Sequence, residues 1–341
     1  MSRIRTAVSM YSLQDSYARG RLDLAGALRF VADAGAEGVE LISDQMITAT
    51  PHPTDETVAA WRSALDASGL VPVCNDVFVN STLYANRTLR VREQAELLRH
   101  ELDVSKRLGF DLVRLVSDTS AEVTEAVLPH AERIGVTMAL EIHAGMSFQG
   151  TLTRQWVDMM RRAQSERLGL VIDLGIFCDR HPRVSTAYFT GLGLTPAVAD
   201  KIDELYDRHG DTLRVFSDGS DHGMAFPEEL TALFRGPVDA EYAFFSTGYE
   251  RTPLDVLDEH APYLRHVHGK FFEMLPDGTE YSIDYPAVLD RLHRIGYDGY
   301  VASEYEGNRF APVDAPVDDQ GQVRAHQRML TAHPATHADG E

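Results

Sequence analysis

The sequence is poor in cysteine, in positive charge and in long apolar runs, and each shortage excludes something. Cys74 and Cys178 are its two cysteines in 341 residues, too few for a disulfide framework, so a reducing compartment, the cytoplasm, is the expected location. No run approaches the ~18 consecutive apolar residues of a membrane-spanning helix. Met1-Ser2-Arg3-Ile4-Arg5 is followed by no apolar stretch of the kind that marks a secretory signal. Against 52 Asp and Glu stand 32 Lys and Arg, a formal net charge of −20. A field of that sign repels phosphate backbones and anionic membrane surfaces, which argues against nucleic acid and lipid as partners.

What is present is an alternation of short apolar runs and longer amphipathic stretches. Strands are expected over Thr6–Tyr11, Gly38–Ser43, Val71–Val79, Leu112–Ser117, Thr137–His143 and Leu168–Leu174. Helical spacing fills the gaps: a helix through Leu24, Leu28 and Val31, then Glu56–Ser68, Glu93–Leu108, Glu122–Arg133 and Arg154–Ser165, several of them ending at glycine. Units of roughly 30 residues are the period of a (β/α)8 TIM barrel. A doubly wound open sheet shares that period, but Ser12-Leu13-Gln14-Asp15-Ser16 after the first strand lacks the glycine-rich turn of a dinucleotide site. Leu264–Phe271 and Tyr300–Tyr305 complete eight strands, with helices Tyr285–Ile295 and Val323–Leu330.

The spacing between the sixth and seventh strands exceeds one barrel unit by about 60 residues. A single barrel domain over 1–331 is therefore expected, with an insertion of about 179–262 over the active-site face and a flexible tail over 332–341. Inside the insertion, Val198, Ile202 and Leu205 mark one face of a helix over Pro196–His209. Thr212–Ser217 reads as an additional strand outside the barrel, followed by a Gly/Asp-rich turn at Asp218–Gly223.

The chemistry-bearing residues gather at the C-terminal ends of the late strands. The fifth ends in Glu141-Ile142-His143, the sixth in Asp173-Leu174, the seventh in His266-Val267-His268-Gly269-Lys270 and the eighth in Glu304-Tyr305-Glu306. Residues two apart in a strand share a face, so Glu141 goes with His143, His268 with Lys270, and Glu304 with Glu306. Carboxylates in an apolar strand need compensating positive charge. A divalent ion held by two Glu, one Asp and one His supplies it, and such a mixed oxygen/nitrogen set suits Mn²⁺, with Co²⁺, Fe²⁺, Zn²⁺ or Mg²⁺ compatible. Taken singly, each residue also reads as a core charge: Glu141 salt-bridged to a Lys or Arg, Lys270 as counter-ion to Glu304 or Glu306, His266 satisfying a carbonyl.

At these residues the sequence resembles the xylose-isomerase-like TIM-barrel family of sugar isomerases and epimerases. The matching pieces are Gly38-Val39-Glu40-Leu41, the Glu141 and Asp173 strands, the His-x-His-Gly-Lys run at 266–270 and the Gly-Tyr-Asp-Gly-Tyr…Ser-Glu-Tyr-Glu-Gly run at 296–307. The resemblance implies one divalent metal held by Glu141, Asp173, His268 and Glu304. It departs from the epimerases in one place: where they often carry a His three residues after the sixth-strand Asp, Ile176 stands here, and the next His is His181. His143 is expected to take over that role. Within the family, His268-Gly-Lys-Phe-Phe-Glu-Met274, the Ser-Glu-Tyr-Glu-Gly ending and the insertion are similar to the catalytic alpha subunit of C-glycoside deglycosidases.

That narrower resemblance implies a 3-keto C-glycoside substrate and a small accompanying β-subunit in a hetero-oligomer. In this reading His143 removes the proton α to the carbonyl and the aglycone leaves by β-elimination. Lys270 or His266 holds the enolate or a sugar hydroxyl, Glu306 contacts substrate, and the insertion aromatics Tyr188, Phe189 and Phe226 stack on a flat aglycone. Those aromatics read equally as the core of the insertion. The alternative is a sugar or sugar-phosphate isomerase or epimerase in which Glu141 and Glu304 act as catalytic carboxylates on two faces of one carbon. Outside enzymes, a non-catalytic sugar-binding barrel remains open; a metal-free glycoside hydrolase and a DNA-acting member of the same superfamily are the other competitors, and the charge of −20 argues against the last.

Overall fold

A computed structural model of the chain describes residues 3–82, 85–116, 119–146, 148, 150–210 and 226–337. Eight parallel strands close into a barrel in chain order: β1 Arg5–Ser9, β2 Gly38–Leu41, β3 Val71–Val77, β4 Leu112–Leu115, β5 Thr137–Ile142, β6 Leu168–Asp173, β7 Leu264–Phe271 and β8 Tyr300–Tyr305. β8 returns to β1 with Arg5 opposite Tyr300 and Val8 opposite Ser303. Strands buried on both faces carry near-continuous apolar runs, which is why their positions were readable from sequence.

The helices between them start and stop on local chemistry. Thr54 and Ser120 accept the N–H of Thr57 and Val123 and so cap the helices Asp55–Ser68 and Ala121–Ile134. Gly69 ends the first of these at φ +72°, a left-handed conformation that glycine takes without penalty. Trp61, Phe110 and Trp156 fill the layer between strands and helices, and both indoles donate to backbone carbonyls, of Leu108 and Thr119.

Between β6 and β7 the chain runs from residue 174 to 263 and includes the helices Arg183–Gly191, Pro196–His209 and Pro237–Ser246. They form a second apolar cluster around Phe189, Leu194, Val198, Ile202, Leu205, Leu230 and Tyr242. The strand expected at Thr212–Ser217 and the turn at Asp218–Gly223 lie outside the described residues. Among the described residues, no helix is long and apolar enough to cross a membrane.

The described residues continue into the segment expected as a flexible tail: the helix Asp319–Ala332 is followed by a turn at Pro334–Thr336 in which Ala335 and Thr336 are buried. Ile4, at the opposite end of the chain, donates its N–H to the carbonyl of Ala335 at 3.0 Å. Residues 338–341 lie outside the described residues.

Candidate metal centre and active site

Strand register brings the polar residues together. Asp173 lies opposite His268 across β6–β7, and Lys270 opposite Glu304 across β7–β8. Two pairings slip, between Val39 and Glu40 in β2 and between Leu170 and Val171 in β6, where Val171 stands opposite His266 of β7. Such irregularities re-aim side chains at barrel rims. Glu141, Asp173, His268 and Glu304 are all buried, and one ligand atom from each lies within 4.8 Å of the others. His268 stands between carboxylates: its Nδ1 is 2.9 Å from Glu141 Oε1 and 3.2 Å from Glu304 Oε2, and its Nε2 is 2.9 Å from Glu40 Oε2.

Three full cations face this group. Arg114 meets Asp76 at 3.1 Å and Glu141 at 3.2 Å. Lys270 Nζ lies 3.0 Å from Asp173, 3.1 Å from Glu304 and 2.5 Å from Glu306. Arg309 pairs with Glu306. Six carboxylates, those of Glu40, Asp76, Glu141, Asp173, Glu304 and Glu306, therefore exceed the fixed positive charge among the described residues. Burial raises every one of them, and the neighbours decide the outcome. Burial pushes Asp173 up to about 6 despite Lys270. Lys270 and His268 overcome burial at Glu304 and hold it down at about 2. Arg114 and His268 do the same at Glu141, which falls well below the usual carboxylate range. Burial opposes a charged His268, but Glu40, Glu304 and Glu141 outweigh it and hold the imidazole well above its ordinary value. A site that draws a proton onto a buried histidine attracts positive charge, and a metal ion at Nδ1 would displace that proton.

Above the cluster opens a cavity of ≈ 300 Å³ lined by Tyr11, Phe78, Arg114, Glu141, His143, Asp173, Lys270, Phe272, Glu304, Glu306 and Arg309, with Gly175 and Gly248 from the β6–β7 segment. His143 is half-buried at the end of β5, with its Nδ1 2.6 Å from the carbonyl oxygen of Ala144. The donated Nδ1–H leaves Nε2 as the acceptor nitrogen.

A model of the xylose isomerase-like TIM barrel family matches residues 28–216, more than half of the chain. The chain belongs to this family. Over 348 aligned residues, 96% of the chain and 90% of the relative, it is 28% identical to a C-glycoside deglycosidase alpha subunit of Arthrobacter globiformis. A 3'-dehydrocarminate deglycosidase alpha subunit from a Microbacterium species is also 28% identical, over 92% of this chain and 91% of that one. Among solved structures, a sugar phosphate isomerase/epimerase from Parabacteroides distasonis superposes with a TM-score of 0.57 at 11% identity, covering 99% and 96% of the two chains. At that identity the likeness shows the fold. Together these relatives make the chain an enzyme of the family.

Of the residues singled out in the sequence, the structure brings Glu141, His143, Asp173, Lys270, Glu304 and Glu306 to the cavity, with His268 buried directly beneath. The others do not line it. His266 is fully buried below the floor, its Nε2 2.7 Å from Glu40 Oε2, so it supports Glu40 and cannot touch substrate. Tyr188 packs edge-on to Phe189, and Phe226 edge-on to Phe234, within the second apolar cluster. Both are partly buried against that cluster, and neither they nor the buried Phe189 line the cavity. His181 is likewise boxed by Tyr206, Tyr242 and Tyr249. The sequence reading missed Arg114, Asp76 and the role of Glu40. Each is a polar residue in an apolar strand, the same signal that exposed Glu141.

Proposed function

We propose that the chain is a divalent-metal-dependent enzyme that removes a proton α to a carbonyl of a keto-sugar, and that its reaction is C–C cleavage of 3-keto C-glycosides. The observation that carries this reading is the convergence of Glu141, Asp173, His268 and Glu304 within 4.8 Å at the foot of a cavity that also contains His143. The donor set fits a metal by its chemistry: three carboxylates and an imidazole, an excess of negative charge, and a fourth carboxylate, Glu40, behind the histidine. A bound divalent ion, for which Mn²⁺ is the best match with Co²⁺, Fe²⁺, Zn²⁺ and Mg²⁺ compatible, supplies stabilisation of negative charge developing on the substrate's carbonyl oxygen.

The chain's own residues do the rest. His143 Nε2 accepts the α-proton; the electron pair left behind forms the new double bond as the carbon–carbon bond to the aglycone breaks, and the aglycone carbon takes up a proton. An aromatic aglycone bearing phenolic groups accommodates the charge on that carbon. Lys270 presents its ammonium at the rim of the cluster and orients a sugar hydroxyl or the oxyanion. Glu306, tied to Lys270 and Arg309, offers acceptor oxygens to hydroxyl groups. The relatives at 28% identity are named as alpha subunits, and this chain is read in the same way, as the partner of a smaller β-subunit.

A second reading is isomerisation or epimerisation of a keto-sugar. It is favoured by Glu141 and Glu304 approaching His268 Nδ1 together, so that two carboxylates flank one point. Incubating metal-loaded protein, with and without a candidate small subunit, against 3-keto C-glycosides and free keto-sugars separates the two. Release of the aglycone supports cleavage; interconversion of keto-sugars without aglycone release replaces it with the second reading.

A further inference from the structure

His143 sits at the end of a strand, on a loop, and a general base must present one particular nitrogen to substrate. The loop is a tight turn. Met146 donates its N–H to the carbonyl of His143 at 2.9 Å, and Gly145 has φ +92° while Ala144 keeps negative φ. That is the pattern of a type II turn, whose third residue requires the left-handed region and is therefore usually glycine. The peptide unit between Ala144 and Gly145 is used at both ends. Its carbonyl oxygen accepts the His143 Nδ1–H at 2.6 Å, and its N–H donates to Glu250 Oε1 at 2.9 Å.

Glu250 comes from the long β6–β7 segment, 105 residues away from Gly145. It is 2% exposed. Its backbone is pinned to the end of β6: its N–H donates to the carbonyl of Gly175 at 3.3 Å, and its carbonyl accepts from Cys178 at 2.8 Å. Thr252 Oγ1 reaches its second carboxylate oxygen at 3.4 Å. A carboxylate held in this way fixes the plane of the 144–145 peptide. Hydrogen bonds in a chain also polarise one another, so the Ala144 carbonyl becomes a better acceptor when the N–H of the same peptide is engaged.

We propose that Glu250 is a positioning residue for His143, acting through the Ala144–Gly145 peptide: it keeps the proton on Nδ1 and leaves Nε2 free to face substrate. The proposal rests on the reading of His143 as the base. It gives the β6–β7 segment a second task besides walling the cavity, that of setting the tautomer of a residue on β5. The arrangement does through a peptide bond what a carboxylate does directly to the histidine of a hydrolase triad.

The test compares Glu250→Ala with Glu250→Gln in Mg²⁺-loaded protein. Histidine-selective ¹⁵N spectra, with the His143 signals identified by their loss in His143→Gln, report the tautomer, and steady-state kinetics on a 3-keto C-glycoside report kcat and KM. Wild type is expected to show the Nδ1–H form. Glu250→Ala is expected to lose that preference and about 100-fold in kcat with little change in KM, because a base misplaced by about 1 Å costs that much. Glu250→Gln keeps an acceptor oxygen and is expected to restore the tautomer and part of kcat. The double variant His143→Ala/Glu250→Ala should be no slower than His143→Ala alone. Should the alanine variant fail to fold, Glu250→Leu, which fills the space and accepts nothing, replaces it. An unchanged Nδ1–H tautomer in Glu250→Ala or Glu250→Leu overturns the proposal. Full activity of His143→Ala overturns the reading of the base, and the spectra then decide by themselves whether Glu250 sets the tautomer.

Discussion

Glu40 holds His268 from behind: its Oε2 lies 2.9 Å from His268 Nε2, on the far side of the ring from the Nδ1 that faces Glu141 and Glu304. His266 reaches the same Glu40 oxygen at 2.7 Å. The pair fixes which nitrogen of His268 is available to a metal. A carboxylate behind a metal-ligating histidine raises its basicity and locks its orientation, and its loss typically weakens metal binding by about 10–100-fold. Glu40→Gln is therefore expected to bind Mn²⁺ more weakly by about that factor while retaining the fold, as isothermal titration of metal-stripped protein will show. Unaltered affinity would mean that Glu40 does not act through His268.

Arg114 is the buried counter-charge to two carboxylates, Asp76 and Glu141. Replacing it with an apolar residue of similar length leaves both without their cation. Arg114→Met is expected to cost about 3–5 kcal/mol of stability, the usual penalty for breaking a buried ion pair from one side. Urea denaturation of wild type and variant in the presence of excess metal measures it.

Two histidines outside the active site make the fold acid-sensitive. Burial pushes His326 down to about 3 and His181 down to about 4. Between those values and the unfolded value near 6.5, the unfolded chain binds protons that the folded chain does not. Their contribution is complete above pH 6.5 and is lost as pH falls, by about 1.4 kcal/mol per pH unit for each site. Unfolding free energies at pH 7, 6 and 5 are expected to decline, less steeply than the two sites alone would give because Asp173 at about 6 works in the opposite sense, and His326→Gln should make the decline shallower.

Tyr188 is partly buried, packed against Phe189 of its own helix and Phe310 beyond β8. Tyr188→Ala is accordingly expected to lower stability by about 2 kcal/mol through lost apolar burial and to leave KM for an aromatic C-glycoside within about threefold. A large rise in KM with unchanged stability would restore Tyr188 to the substrate.

The fold was legible in the sequence because strands buried on both faces leave uninterrupted apolar runs. β7 and β8 have the bounds that the sequence implies, Leu264–Phe271 and Tyr300–Tyr305. The late strand ends were legible because an ionisable residue stands out in such a run, and the period of two says which neighbours share its face. What the sequence hides is distance. Glu40 meets His266 and His268 across 226 and 228 residues, and Glu250 meets Gly145 across 105. No spacing announces these pairs. Aromatic residues look alike in a sequence whether they face a cavity or a neighbouring helix, and Tyr188 and Phe226 pack on neighbouring aromatic rings. Ala335 meets Ile4 near the other terminus, a contact beyond the reach of any local reading.

Glu141, Asp173, His268 and Glu304 are expected to hold one divalent ion on which activity depends. Metal content per chain, measured by inductively coupled plasma mass spectrometry on purified wild type and on Asp173→Asn and Glu304→Gln, each after Mn²⁺ loading and desalting, tests it most directly. About one ion per chain is expected in wild type and a large loss in both variants, with activity falling in step. A metal-stripped wild type that retains full activity, or variants that keep the ion, would contradict it.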